Sequence, residues 1–414
     1  MEILEISWER IVYMLLIEKT IYHWIKKHID VLFFIVISVL ALMIRISGLS
    51  FISDDMRFFL LHWFDQMRGG DFSKSIGDYG LLYQSLIYAM THISFFPVYQ
   101  YKILSFIFDF ALAFVSAIFS CKLVGKEKFG MHFLRVYTFF LFLPTVFLNS
   151  SFWGQCDSIY TFFVICSLYF LYTDKIKMSF AVLGIAFAFK LQTIFIVPFY
   201  LYYYFHKQSF SIFNFLITVV VFWLSGFPGF IKGQNIWIPF VIYANQIHSY
   251  SEELYMNIHS FWTIFKNDPI YINAAIILTL SIFCFGMHTI IKYSFSLKSG
   301  ENFLMVAVWT VWVCILFLPK MHERYTYLLD ILLLLLSMKN NKFFVLFFIS
   351  QTLSLLTYAS NFGLFEGREM RYLSLVYLFS FIWFSFYIDK KMYQQEEFEK
   401  STLKKSRKNG GVKK

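Results

Sequence analysis

Long apolar runs recur along almost the whole chain and are separated by short polar segments. A helix needs about 20 predominantly apolar residues to cross the roughly 30 Å of hydrocarbon in a bilayer. The pattern therefore predicts an all-α polytopic membrane protein with roughly twelve transmembrane helices. The predicted spans are residues 32–49, 100–121, 131–149, 158–173, 178–190, 191–205, 211–227, 270–292, 302–319, 324–337, 343–360 and 371–388.

Three of the apolar segments need a separate interpretation. Residues 178–190 and 191–205 are short for full crossings and meet at Lys190, which predicts a broken helix that lines a cavity or packs inside the protein. Residues 80–97 are apolar enough to span, but a crossing there would move the lysine-rich segment 121–130 to the outer face. Because lysines collect in cytoplasmic loops, we predict a half-buried helix within a first outer loop instead.

The composition agrees with a membrane protein, since 58% of the residues are hydrophobic, 22% are aromatic and only 15% are charged. Two lysines precede the first span, so the positive-inside rule predicts that both termini are cytoplasmic and that the protein is multi-pass in the cell membrane. The predicted parts are an N-terminal interfacial helix (1–31), a transmembrane domain (32–388) whose first outer loop covers about 50–99, and a basic cytoplasmic tail (389–414).

The formal net charge is +10, and much of it lies in the tail KKSRKNGGVKK. Such a tail suits the anionic headgroups of a lipid bilayer, and we expect no nucleic-acid partner. The five cysteines show no spacing typical of a disulfide framework or a zinc site. We expect no metal and no other cofactor, and the sequence contains no nucleotide-binding loop.

The first outer loop places acidic residues at the start of a helical pattern. Asp54 and Asp55 precede FFLLHWF, in which apolar residues recur every three positions and indicate a helix lying along the membrane. These acids could cap the helix and compensate its dipole. Alternatively, a carboxylate held near the interface could act as a general base on an incoming hydroxyl group. The same two interpretations apply to Asp78 in IGDYGLL.

Two further segments place polar side chains in apolar surroundings. In SFWGQCDSIY, Trp153 is typical of a membrane interface, whereas Gln155 and Asp157 cost free energy there unless they have partners. In FAFKLQTIF, Lys190 and Gln192 interrupt an apolar run. An intramembrane lysine indicates a functional site unless its ammonium group reaches an interface.

A cluster of ionisable residues lies between two late apolar runs, in FLPKMHERY. Its members are Lys320, His322, Glu323 and Arg324. A loop at a helix end would account for them, but arginine and histidine at the outer leaflet would also suit a lipid-linked phosphate. The predicted topology places this cluster on the same side as the early acids. The sequence therefore predicts that both groups meet in one site.

Taken in order, the motifs are an S-x-D acid, a D-Y before an apolar helix, W-G-Q-x-D-S-I-Y, F-K-x-Q and M-H-E-R-Y. This series, over about residues 50 to 330, resembles the GT-C glycosyltransferases, and in particular the bacterial mannosyltransferase-like branch related to GPI mannosyltransferase II. The resemblance implies a GT-C fold. It also implies an inverting enzyme that moves a hexose from a polyprenyl-phosphate donor to a glycan or lipid-linked acceptor at the outer face.

The resemblance also implies roles for individual residues. The acid at the third position of S-x-D deprotonates the acceptor in that family, which favours Asp55, with Asp54 as the alternative one position earlier. Cations near the outer headgroups would stabilise the departing phosphate. The implied substrate-binding residues are Asp78, Trp153, Gln155, Asp157, Lys190, Gln192, Asn257, His259, Lys320, His322, Glu323, Arg324, Arg368 and Arg371.

Other classes of protein share parts of this pattern. A polysaccharide polymerase or ligase also uses lipid-linked sugars, but usually has a large outer loop with arginine and histidine late in the chain. Here the acids come early, which favours a transferase. A transporter of lipid-linked sugar needs no general base. A purely structural membrane protein would not need ionisable residues gathered on one side.

Overall fold

The structure is a computed structural model that describes residues 16–69, 72–207, 210–249, 252–293, 295–364 and 370–410. All regular secondary structure in these ranges is helical, so the predicted all-α class is confirmed. Residues 1–15 of the predicted interfacial helix, residues 411–414 of the tail and Arg368 lie outside the described residues.

The α-helices are numbered along the chain. The first nine are α1 (Leu16–Ser47), α2 (Leu61–Arg68), α3 (Leu81–Met90), α4 (Pro97–Val124), α5 (Met131–Leu141), α6 (Pro144–Phe147), α7 (Asp157–Tyr172), α8 (Ile176–Phe189) and α9 (Val197–Lys207). The others are α10 (Asn214–Leu224), α11 (Phe227–Ile231), α12 (Ile238–Ser249), α13 (Ile272–Lys292), α14 (Gly300–Phe317), α15 (Tyr327–Lys339), α16 (Phe344–Asn361) and α17 (Met370–Gly410). Short π-helical and 3-10 segments are Met56–Leu60, Leu148–Trp153, Leu191–Ile196, Phe261–Ile264, Pro269–Tyr271 and Asn341–Phe343.

The protein is a multi-pass membrane protein, but its long helices are fewer than the predicted spans. In the described ranges, six helices are long and apolar enough to cross a membrane, or seven if Met131–Leu141 and Pro144–Trp153, bent by 51°, form one span. Several predicted spans are short helices, such as α8 with 14 residues. A helix of that length measures about 21 Å, less than the roughly 30 Å of hydrocarbon.

Several boundaries can be compared with the sequence pattern. The predicted break at Lys190 is present, because α8 ends at Phe189 and Lys190 is extended (φ −153°, ψ 136°) before a 3-10 turn. The apolar segment within 80–97 forms α3, which buries five of its ten side chains. By contrast, α1 and α17 continue without a break through residues 31 and 388, where the predicted domains were divided.

The centre of the molecule is formed by α14 and α15. Nearly all side chains of both helices are buried, as expected for helices that are apolar on every face. A buried ion pair joins α1 to α4: Arg45 Nε lies 2.8 Å from Asp109 Oδ2, and the Ser150 hydroxyl donates to the same oxygen over 2.5 Å. A buried charge is tolerated only with such partners, so this pair sets how the helices align.

The loops that connect the helices lie at two opposite ends of the helix bundle. At one end, Lys339 Nζ donates to the Leu123 carbonyl over 2.8 Å and Lys391 Nζ lies 2.6 Å from Glu301 Oε1, so the last turns of α4 and α15 meet there and the middle of α17 contacts the start of α14. The motifs singled out in the sequence lie at the other end, where α1, α8 and α14 finish and α4, α7 and α15 begin. The fold thus collects them from helix termini.

Candidate active site

Asp55 is the centre of the polar cluster at this end. Its Oδ2 accepts hydrogen bonds from Trp153 Nε1 (3.0 Å), Gln155 Nε2 (2.7 Å) and Arg324 Nη1 (3.0 Å). The described residues supply no donor to Oδ1, and 23% of the side chain is exposed. Three donors on one oxygen therefore fix the carboxylate, while the other oxygen remains available to a ligand.

The neighbouring acid is placed differently. Asp54 is exposed and does not line the cavity that contains Asp55. The helix start is capped by Ser53, whose hydroxyl accepts from the Met56 backbone N–H over 3.2 Å and donates to the Trp153 carbonyl over 2.8 Å. Because Ser53 supplies the cap, the capping interpretation does not explain the position of Asp55.

The W-G-Q segment is shaped to reach Asp55. Gly154 adopts φ +78°, a left-handed conformation that glycine takes without strain, and the Met56 side chain packs beside it. Trp153 is fully buried and packs edge-on against Tyr358 at 4.9 Å, so it is not an interfacial anchor. Gln155 accepts from the Tyr79 hydroxyl over 2.7 Å while its amide nitrogen donates to Asp55.

Arg324 connects the late cluster to these residues. Besides Asp55, its Nη1 donates to Glu323 Oε1 over 3.0 Å, and its Nη2 donates to the Tyr79 hydroxyl over 3.2 Å. Its guanidinium also lies 5.6 Å from the ring centroid of Trp153. A planar fork with five donors can satisfy several acceptors at once, which explains why an arginine occupies this position.

Lys190 and Asp157 form a buried ion pair behind Arg324. Lys190 Nζ lies 2.5 Å from Asp157 Oδ1, and each side chain is only 1% exposed. Asn149 donates to Asp157 Oδ2 over 2.9 Å, and Arg324 Nε lies 3.9 Å from the same oxygen. The lysine therefore neither reaches an interface nor lines the cavity. It neutralises a carboxylate that orients the surrounding polar groups.

The cluster opens into a cavity of about 1180 Å³. Carboxylates from distant parts of the sequence share its wall, which also carries amide, aromatic and arginine side chains. The residues lining it are Asp55, Phe59, Leu60, Trp63, Gly77, Asp78, Tyr79, Gln155, Glu253, Tyr255, Met256, Asn257, Ile258, Thr263, Asn267, His322, Glu323, Arg324, Asn361, Arg371 and Tyr372. Asp55, from the predicted first outer loop, and residues 322–324, from the M-H-E-R-Y motif, thus line the same cavity.

Burial shifts the pKa of three groups in this cavity. Burial, reinforced by the positive charges of Arg324 and Lys190, lowers the pKa of His322 to about 3. This imidazole is therefore neutral near pH 7 and does not supply the cation that was expected of it. Burial raises the pKa of both Asp78 and Glu323, against the lowering effect of Arg324.

Two of the remaining predicted residues line the cavity. Asn257 has φ +44° in a loop whose neighbouring Met256 N–H donates to the Met321 carbonyl over 3.0 Å, so this loop is held beside the M-H-E-R-Y segment. Arg371, at the start of α17, is exposed and has no hydrogen-bond or ion-pair partner among the described residues.

Three more of the predicted residues lie outside its wall, as do Trp153, Asp157 and Lys190. Gln192 and His259 are buried beside the site rather than in its wall. Lys320 Nζ donates to the Ile247 carbonyl over 2.8 Å, so its charge is directed towards α12, no residue of which lines the cavity. Within the described residues, no group of three or more His, Cys, Asp or Glu side chains could hold a metal ion.

Two residues that position the site are not among those predicted from the sequence. Tyr79 joins Gln155 to Arg324, although D-Y had been noted only for its acid. Lys102 Nζ donates to the carbonyls of Gly48 (2.6 Å) and Phe51 (2.5 Å), which fixes the chain leading to Asp55. Lys102 interrupts an apolar run as Lys190 does, so the same criterion would have found it.

Comparison with known proteins assigns neither a family nor a function to this chain. A scan against protein-family models finds no match, and a search of curated proteins finds no significant relative. The class that fold and site define is a multi-pass, all-helical membrane protein with a carboxylate-lined cavity at one end of its helices.

Proposed function

We propose that the protein is an inverting glycosyltransferase of the GT-C type. It moves a hexose from a polyprenyl-phosphate donor to a glycan or lipid-linked acceptor. The observation that carries this proposal is the Asp55 carboxylate, which is held through one oxygen by Trp153, Gln155 and Arg324 while the other oxygen has no donor among the described residues. That arrangement suits a general base that must approach a hydroxyl group in one orientation.

The reaction can be written with these groups. The acceptor hydroxyl gives its proton to Asp55 Oδ1 while its oxygen attacks the anomeric carbon of the donor. The bond between that carbon and the phosphate oxygen breaks, and the polyprenyl phosphate leaves with the bonding electrons. Attack from the face opposite the leaving group inverts the configuration, so no covalent sugar–enzyme intermediate forms.

The departing phosphate gains negative charge and needs nearby cations. Arg371 is suited to this role, because it lines the cavity, is exposed and has no partner among the described residues. Arg324 is held by Asp55 and Glu323 in the cavity wall, and from there its positive charge stabilises the phosphate electrostatically. His322 contributes as a neutral hydrogen-bonding group rather than as a charge.

The distribution of lysines supports an outward-facing site. The cavity lies at one end of the helices, and the lysine-bearing loops after α4 and α15 lie at the other. Because lysine and arginine collect on the cytoplasmic side, the basic end is cytoplasmic in this proposal and the cavity opens to the outer face. A lipid-linked donor reaches such a cavity from the outer leaflet.

The test uses purified full-length protein, a panel of polyprenyl-phosphate hexoses and lipid-linked acceptors. We expect transfer with one donor and a loss of at least about 100-fold in kcat in Asp55→Asn, the usual scale for removing a general base. Asp54→Asn is the matched control, because Asp54 is exposed outside the cavity, and it should retain activity.

The activity of Asp55→Asn and the size of the saccharide transferred separate the alternatives. A transporter of lipid-linked sugar would move its substrate equally well with Asp55→Asn, because translocation needs no proton acceptor. A polymerase or ligase would join preassembled saccharides rather than transfer one hexose. Full transfer activity in Asp55→Asn contradicts the proposed mechanism.

A further inference from the structure

One wall of the cavity combines an aromatic ring with a carboxylate. Asp55, Phe59 and Trp63 recur every four residues along the helical segment 54–68, and all three line the cavity. A row of side chains at this spacing lies on one face of a helix. The aromatic rings therefore continue the wall that begins at the proposed base.

The ring of Trp63 is held in place by the D-Y turn. Gly77 adopts φ +84°, and a Cβ there would lie 2.6 Å from the Trp63 ring, so only glycine allows this close packing. Tyr79 packs edge-on against Trp63 with a centroid distance of 5.4 Å. The indole is half-buried, with part of its surface left to the cavity.

Asp78 lies between Gly77 and Tyr79 in the chain. Its side chain is half-buried and lines the same cavity, and no other described residue donates a hydrogen bond to it. It caps no helix, because the N-cap of α3 is Gly80. The charges of Arg324 and Lys190 and the backbone of Asp78 itself offset part of the hydration that this carboxylate loses on burial. Because no other described side chain donates to it, the carboxylate retains acceptor sites that the hydroxyl groups of a ligand would satisfy.

We propose that Trp63 and Asp78 form a subsite for the ring of a hexose. The apolar C–H face of the ring packs on the indole, and adjacent sugar hydroxyls donate to the carboxylate. The inference rests on the proposed glycosyl transfer and adds the residues that select the sugar. The same chemistry serves the donor hexose or the acceptor sugar, and the kinetic arm of the test distinguishes them.

The first arm measures binding alone, with methyl α-mannopyranoside and methyl α-glucopyranoside as probes. Saturation-transfer NMR on the purified full-length protein should detect binding of at least one probe. Trp63→Ala and Asp78→Asn should each weaken it by at least about tenfold, and Trp63→Phe should lie between. Trp237→Ala is the control, because Trp237 is 62% exposed and lies outside the cavity.

A pair of glycine variants tests the packing of the ring. Gly77→Ala should weaken probe binding, because the new Cβ displaces the indole. Gly233→Ala carries the same backbone strain at φ +91° with nothing within 4 Å, and should leave binding unchanged. Equal effects of the two substitutions would contradict a role for Trp63 packing.

The second arm measures transfer. If the subsite takes the acceptor sugar, Trp63→Ala and Asp78→Asn raise the acceptor KM at least about tenfold and leave the donor KM unchanged; a donor subsite gives the reverse. Unchanged binding and unchanged KM values in these variants, or no probe binding by the wild type, overturn the proposal. Probe binding that depends on Trp63 in a protein without transfer activity would instead overturn the proposed function alone.

Discussion

The guanidinium of Arg324 donates to the carboxylate of Asp55 over 3.0 Å, although 269 positions separate the two residues. Its Nη2 donates to the Tyr79 hydroxyl, and Tyr79 donates in turn to Gln155, which binds Asp55. The proposed base is thus oriented by a closed ring of hydrogen bonds. In low-dielectric surroundings such a ring resists rearrangement, because breaking one bond leaves a buried polar group unsatisfied.

Arg324→Lys should separate the charge of this residue from its geometry. Lysine keeps the positive charge but cannot donate to Asp55, Glu323 and Tyr79 together. We expect kcat to fall by about tenfold to 100-fold, with a smaller change in KM, because the base is less well oriented. Steady-state kinetics measure this, and Arg57→Lys is the control, at an exposed arginine of the helical segment 54–68 that carries Asp55. An unchanged kcat would show that the several hydrogen bonds donated by the guanidinium group are dispensable.

The Lys190–Asp157 pair should behave as a buried ion pair. Lys190→Met leaves Asp157 without its cation and should lower the free energy of unfolding by about 3–5 kcal/mol. Adding Asp157→Asn removes the remaining charge and should restore more than half of that loss. Thermal unfolding in detergent measures both variants.

An exposed pair provides the control for this experiment. Lys207 also contacts an aspartate, Asp174, but these side chains are 27% and 69% exposed. Solvent screens such a pair, so Lys207→Met should cost less than about 1 kcal/mol. Similar losses in Lys190→Met and Lys207→Met would contradict the assigned burial.

His322 should make the protein sensitive to acid. Its pKa is about 3 in the folded protein, against 6.5 for an unperturbed histidine. Between these values the unfolded chain binds a proton at this imidazole that the folded protein excludes, so acidification favours unfolding; above about pH 6.5 the effect is absent. At pH 5 the difference reaches about 2 kcal/mol, from about 1.4 kcal/mol per pH unit.

The variant His322→Asn should remove this part of the pH dependence. Between pH 7.5 and pH 5, the unfolding midpoint of the wild type should fall further than that of the variant. Comparison with the wild type cancels the opposite contributions of Asp78 and Glu323, whose raised pKa values add stability as the pH falls. His92→Asn, at an exposed histidine, should follow the wild type. Parallel pH curves for His322→Asn and wild type would refute the assigned burial.

Short-range patterns predicted several elements correctly. The break at Lys190 could be predicted because a lysine between two short apolar segments is costly within a continuous helix. The number of spans was harder to predict, because the apolar run of α15 is enclosed by protein, and a run of this kind reads in the sequence like one that faces lipid. The length of the helix distinguishes a run that is enclosed by protein from one that crosses the membrane. Helix length is hard to predict, because helix ends are the least certain part of a sequence pattern.

The sequence by itself determined an all-helical, multi-pass membrane protein and the polar residues that interrupt its apolar runs, because hydrophobic periodicity and the cost of intramembrane charge are local properties. Only the tertiary structure decided which of these residues meet. It places Asp55 with Arg324 and pairs Lys190 with Asp157, while it directs Lys320 away from the cavity. Such pairings depend on how helix termini from distant parts of the chain pack together, and no spacing within one segment encodes that packing.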